Sequence, residues 1–432
     1  GVVFMKNGKL KYSLNFKHIN WMILILIITG CLNIFAINVL VVDGSFFSTY
    51  GADYLAYWSA GKIADHKGYS EIYDLNNLGS VQTQELTSLG VLPKTDGSAI
   101  PILPVAYLSF FVLPFQILSR IDLVDSYWIW TILNLIILIG YLVFYLRKTL
   151  PESGAVVNGL KLFIPVLISY PVFYNIIIGQ VEVLLVVCAG EFIRNAVRKK
   201  SILSGLWLGG LLVKPQLLIL IIPIIIILRN WKVLMGFVAS SGIILVTSFI
   251  LSGSAGIKGL INLWTRYSVG IATGSPEAMI NWRMVGLNLN NLFNTSLGWI
   301  VSGFGMVLTI LALYFLLNKI SPFGSPSWVT TMLGVFSATL AITWHAHQHM
   351  AMILIPFLVY SSLYNLLPKK ILFLWVIVTP VVWFGMVIGG ALTLIFAKMN
   401  IFDYQGMVVA FSGFALNLVI LFSTIRRKIM VT

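Results

Sequence analysis

The chain has 432 residues, of which 59% are apolar and only 10% charged, with a net charge of +14. Apolar stretches of about 18 residues or more recur along the whole length, which excludes a water-soluble globule; being continuous rather than alternating, they read as helices and not as barrel strands. The surplus Lys and Arg sit in short clusters between those stretches, the pattern of cytoplasmic loops and not of a nucleic-acid groove, so no nucleic acid is expected as a partner.

The first apolar run, Trp21 to Val42, is too long for a signal-peptide core and reads as a retained first span. Lys6, Lys9, Lys11 and Lys17 precede it and place the N-terminus in the cytoplasm and the following segment outside. That segment, residues 43–100, holds seven of the 14 acidic residues against three lysines and is the one sizeable hydrophilic piece. Within it, Gly51 to Lys62 reads as a short juxtamembrane helix beginning at Asp53, with Tyr54, Tyr57, Trp58 and Gly61 on one face. Asp53 is then either a helix N-cap beside an interfacial aromatic belt or a carboxylate held firmly enough to take a proton from a hydroxyl, and one residue could serve both ends.

In the middle of the chain, Arg147/Lys148 and Arg194 to Lys200 both favour the cytoplasm although simple alternation separates them. One or two segments here are therefore expected to be broken or re-entrant, at Gly179-Gln180 and Lys214-Pro215, where they line an enclosed cavity. Gln180, Glu182, Glu191 and Lys214 lie inside apolar runs. A charge at the bilayer centre costs on the order of 3 kcal/mol, so each should face a cavity or a partner, unless Lys214 snorkels to an interface. The two cysteines, Cys31 and Cys188, are in apolar runs as well and form no disulfide framework.

Beyond Arg229, basic residues mark cytoplasmic ends between runs at 231–251, 295–317, 328–344, 349–366, 371–396 and 405–425. This leaves residues 252–284, the histidine cluster and residues 398–404 outside, and the C-terminus in the cytoplasm. Arg266 and the Asn281-Trp282-Arg283 triplet offer anion ligands in the second large outer loop. Three of the five histidines, His345, His347 and His349, follow Trp344 at the outer end of a helix. His345 and His349 share a face if the segment is helical, and all three do if it is extended. They are open to three readings: interfacial solvation, a metal site, or a charge-assisted contact from one imidazole to a substrate phosphate.

The order of these features resembles glycosyltransferase family 87. The resemblance rests on Asp53-x-x-x-Tyr57-x-x-Ala60-Gly61, Tyr73 after Gly68-Tyr69, Gly179-Gln180, Lys214-Pro215 after the small residues Ser204-Gly205 to Gly209-Gly210, and the Trp344 to His349 stretch. The chain departs from the family pattern with Pro101-Ile-Leu-Pro104 in place of Tyr-Pro-Pro, Glu182 in place of Asn, and His345-Ala346 where an acidic residue often stands. The resemblance implies a class C fold: one all-α polytopic membrane domain over residues 1–432, with about 11–13 membrane helices and short juxtamembrane helices in the first outer loop. It further implies an extracytoplasmic cavity, a polyprenyl-phosphate sugar donor, mannose favoured, and Asp53 as catalytic base.

The expected reaction is an inverting transfer in a multi-pass protein of the cell membrane, onto a lipid-linked or glycan acceptor. His349, His347, Arg283, Lys214 and Lys62 are the candidates for the donor phosphate. Tyr57, Trp58, Gln180, Glu182, Trp344, His345 and Asn281 are the candidates for the cavity wall. Neither cofactor nor metal is expected. A transporter or lipid flippase working through Glu182, Glu191 and Lys214 is the alternative, and a non-enzymatic scaffold leaves Asp53 and the histidines without a role.

Overall fold

The computed structural model describes residues 45–91, 102–149, 165–268, 275–318, 321–397 and 404–431. The expected first span at 21–42 and most of the outer segment 398–404 lie outside the described residues. Every regular element within them is helical, as apolar sequence requires where no water can satisfy the backbone.

The first hydrophilic segment folds into α1 (Ala52–His66), a 3₁₀ turn at Tyr69–Tyr73 and α2 (Leu75–Ser88). Asp74 caps α2 by accepting from the Asn77 amide at 2.9 Å. The short α3 (Leu113–Leu118) leads into α4 (Leu123–Thr149). Two breaks follow where the sequence places them. Gly179, at φ +71°, ends α5 (Tyr170–Ile178) before α6 (Glu182–Val197) begins. Lys214-Pro215 separates α7 (Ser201–Gly209) from α8 (Ile221–Ile227), with a 3₁₀ turn on either side. The remaining helices are α9 (Trp231–Ser268), α10 (Trp282–Phe293), α11 (Leu297–Leu317), α12 (Pro326–Ile342), α13 (Ile355–Leu363), α14 (Lys369–Leu392) and α15 (Gln405–Val431).

Among the described residues α4, α9, α11, α14 and α15 are long and apolar enough to cross a membrane, and five shorter apolar helical stretches join them. The chain is a polytopic membrane protein. From Trp328 in α12 and throughout α13 the residues are mostly apolar and nearly all buried, including Val335, Phe336, Phe357 and Leu358, which puts these helices at the centre of the bundle. Helices α9 and α11 instead expose Ile243, Ile250, Ile300 and Phe304, the surface of a helix facing lipid.

Helix α9 carries a kink at Gly253, whose backbone (φ +61°, ψ −170°) is not helical and divides it into two helical segments, the second running to Ser268 within the expected outer loop 252–284. That second segment packs on the 3₁₀ turn of the first hydrophilic segment, where a Cβ on Gly259 would lie 3.0 Å from Cβ of Tyr73, and Trp264 Nε1 donates to the Ala106 carbonyl at 2.9 Å. One expectation is corrected: the aromatic face of α1 is no interfacial belt. Tyr54, Tyr57 and Trp58 are all buried, because α3 lies so close that a Cβ on Gly61 would sit 2.1 Å from the Phe115 carbonyl oxygen.

Helices α7 and α9 also meet through small residues. A Cβ on Gly205 would lie 1.9 Å from the Val233 carbonyl oxygen, and one on Gly236 would lie 2.1 Å from that of Ile202. Helices in lipid gain little by hiding apolar surface from one another, so backbone approach of this kind carries their association. Gly205→Val is therefore expected to destabilise the protein by about 1–3 kcal/mol or more. Thermal unfolding in detergent checks this, with Gly242→Ala, where no atom lies within 4 Å, as the unaffected control.

Candidate active site

Asp53 lies one residue inside α1. The N-cap position belongs to Gly51, which has no side-chain cap, so the Asp53 carboxylate is not spent on helix amides as the N-cap reading required. Its Oδ2 accepts from Gln180 Nε2 at 2.6 Å. No hydrogen bond reaches Oδ1 among the described residues, and the side chain is half-buried. Burial pushes the carboxyl above the ordinary carboxylate range, while the Gln180 hydrogen bond and the charges of His349 and Lys214 pull it back.

Gln180 is presented by the first helix break. Its backbone N–H donates to the Asn175 carbonyl at 2.9 Å, and the Glu182 N–H donates to Asn175 Oδ1 at 3.2 Å. Gly179 is needed at this point twice over, for its left-handed φ and because a Cβ there would fall 2.5 Å from Cβ of Tyr54. Gln180 Oε1 accepts from Tyr57 Oη at 2.6 Å and from Lys214 Nζ at 3.2 Å. Tyr57 also shares a 2.9 Å hydrogen bond with Tyr107 and stacks between Tyr107 and Phe115.

The second break delivers Lys214. It is buried and ion-paired with Glu182 Oε1, so it does not snorkel. The same carboxylate oxygen takes His349 Nδ1 at 2.7 Å. Glu182 Oε2 is buried with no hydrogen-bond partner among the described residues. From His349 the imidazoles continue outward, His349 to His347 at 5.8 Å and His347 to His345 at 4.9 Å between ring centroids. Residues 343–347 are not helical, which brings all three histidines together as the extended alternative required. Burial drives His345 down to about 3, so this imidazole is neutral and is no cationic ligand. Arg283 caps the edge of the cluster, 4.1 Å over the Trp344 ring and 3.4 Å from its carbonyl.

Three expected site residues serve elsewhere. Lys62 pairs with Glu85 at 3.7 Å and lies over Trp58, outside this network. Trp58 is buried and donates to the Ile121 carbonyl at 3.0 Å. Asn281 caps α10 and ties down the Thr343 carbonyl at 2.9 Å, so its amide holds the histidine segment in place. Glu191 pairs with Arg194 on its own helix, Arg194 Nε donating at 2.7 Å, apart from Glu182 and Lys214. Tyr107, Asn175 and Tyr174, whose ring lies 5.8 Å from that of His349, were not anticipated. Of these, only Asn175 had a visible signal, as one more polar side chain in an apolar run.

The family model for glycosyltransferase family 87 matches residues 106–349, more than half of the chain. The chain belongs to glycosyltransferase family 87. No curated protein and no solved structure matches it. As a family 87 member the protein is a membrane glycosyltransferase, which decides against the transporter and scaffold readings. The matched stretch contains Gln180, Glu182, Lys214 and Arg283 and ends on His349. Asp53 precedes it and reaches the family 87 region through Gln180.

Proposed function

We propose that the protein transfers a sugar, mannose favoured, from a polyprenyl-phosphate donor to a hydroxyl of a lipid-linked or glycan acceptor on the extracytoplasmic face, with inversion. Asp53 takes the proton of the acceptor hydroxyl. The oxygen bonds to the anomeric carbon as the bond from that carbon to the phosphate oxygen breaks, and the electron pair leaves on polyprenyl phosphate. No general acid is required, because the leaving phosphate is already an anion; positioning and positive charge do the rest. The observation that carries this reading is the Asp53 carboxylate, fixed through one oxygen by Gln180 and open at the other, on the same polar network as Lys214 and His349. Lys214 and His349 meet on one oxygen of the Glu182 carboxylate, and their N–H groups are the donors that would face the phosphate. His347 and Arg283 stand at the outer edge of the same cluster.

The purified protein in lipid nanodiscs should transfer label from a polyprenyl-phosphate mannose to an alkyl mannoside, with the opposite anomeric configuration in the product by NMR, and should not use a nucleotide sugar. Transfer from the nucleotide sugar instead would overturn the donor assignment. The pH profile carries a second expectation. A base must be ionised to act, and burial raises the Asp53 carboxyl, so activity should fall with decreasing pH along a limb centred above the ordinary carboxylate range of roughly 3.9.

A further inference from the structure

Gln180 stands between the two charged ends of the site. Its amide touches Asp53 with one atom and Lys214 and Tyr57 with the other. An ammonium group has three protons to donate and nothing with which to accept. Whichever amide atom faces Lys214 must therefore be the oxygen, and the atom facing Asp53 must be the NH2. The flipped amide would set donor against donor at Lys214 and acceptor against acceptor at Asp53. The backbone beneath is held as well, by the left-handed turn at Gly179 and the 2.9 Å bond from the Gln180 N–H to Asn175.

We infer that Gln180 is a positioning residue whose amide, locked in one orientation by Lys214 and Tyr57, holds Asp53 as a carboxylate and leaves its second oxygen to receive the proton. The inference rests on Asp53 being the base. It makes Lys214 act on the base at one remove, through the orientation of an amide, in addition to any contact with the donor. The other ionisable groups around Asp53 are Tyr57 on its own helix and Tyr107, Tyr174, Glu182, Lys214 and His349 from the elements packed against it. Of these and Gln180, only Gln180 donates a hydrogen bond to the carboxylate among the described residues.

Removing a donor from an ionised acceptor favours the protonated form. In Gln180→Leu the pH at which Asp53 is half protonated should rise by about one unit. Gln180→Glu keeps the size and still accepts from Tyr57 and Lys214, but when ionised it has no proton to offer Asp53 and adds a like charge, so the rise should be at least as large. The direct readout is modification of Asp53 by dicyclohexylcarbodiimide, which attacks protonated carboxyls, followed across pH by peptide mass spectrometry on the full-length protein in nanodiscs. With the polyprenyl-phosphate mannose assay, kcat should fall about tenfold or more while the donor KM stays within about twofold. A midpoint unmoved in both variants, or moved in Gln180→Leu and not in Gln180→Glu, would overturn the inference, the latter because shape alone would then matter. If Gln180→Leu does not fold, the isosteric Gln180→Glu carries the test. Full transfer by Asp53→Asn would instead sink the assignment of the base, an outcome the labelling midpoint does not imitate.

Discussion

Replacing Asp53 by Asn is expected to lower sugar transfer by about a thousandfold, within the range that a positioned general base contributes. The substitution is nearly isosteric, and the Asn oxygen still accepts from Gln180 Nε2, so the 2.6 Å contact that locks the side chain to the family-matched region survives. What disappears is the basic oxygen. The acceptor hydroxyl then has to lose its proton to water, which a half-buried site admits poorly. Because Lys214, His349, His347 and Arg283 are untouched, the donor KM should change little, and the loss should fall on kcat. Asp53→Glu keeps the base but displaces its oxygens by about one bond length, and an intermediate loss is expected. Steady-state transfer, beside an expression and unfolding control, makes the measurement; an Asn variant as active as the parent would remove Asp53 from the chemistry.

The largest effect on stability is expected at Glu182. Lys214 and Glu182 are buried together, and Coulomb attraction at close range offsets the cost of taking both charges out of water. Glu182→Gln preserves volume and leaves the ammonium without its counter-ion. Breaking one side of such a pair costs about 3–5 kcal/mol, whereas removing both charges together is often nearly neutral. Glu182→Gln should thus lower the unfolding temperature and the yield markedly, and the double variant Glu182→Gln/Lys214→Met should recover most of the loss. The coupling in that double-mutant cycle is the quantity to read. Equal losses in the single and double variants would mean that the pair is not the unit of stability. Activity should remain low in the double variant, since the donor cluster and the lock on the Gln180 amide are both gone.

Much of the architecture was legible from hydropathy. Continuous apolar runs can only be helices in lipid, and the runs from residue 295 onward each meet one of α11 to α15, although the run at 349–366 opens with the 3₁₀ turn Gln348–Leu354 before α13 and α15 continues past 425 to Val431. The two breaks were legible for a related reason: a left-handed glycine and a lysine-proline pair cannot continue a buried helix, whatever surrounds them. Helicity inside the outer segments was not. In residues 252–268 Gly, Ser and Lys dilute the apolar signal, yet beyond the kink at Gly253 the chain is helical as far as Ser268, and the surface it packs on, around Tyr73 and Ala106, lies far away in sequence.

The candidate site divides along the same line. Local composition marked which side chains had to be exceptional, since Gln180, Glu182, Lys214 and the histidines are polar groups in segments bound for a greasy interior, and Asp53 stands in the one acidic stretch. The sequence also carried the family, through motif order. It could not tell Lys62 from Lys214, or say that Asn281 and Trp58 serve the scaffold. The helix packing is what joins Glu182 to Lys214 and His349 and rests Asp53 on Gln180, 127 positions along the chain. Insertion into a bilayer is scored segment by segment on local composition, whereas the partner of a buried charge is chosen by which helices cross and at what depth, and that choice leaves no periodic trace in any one segment.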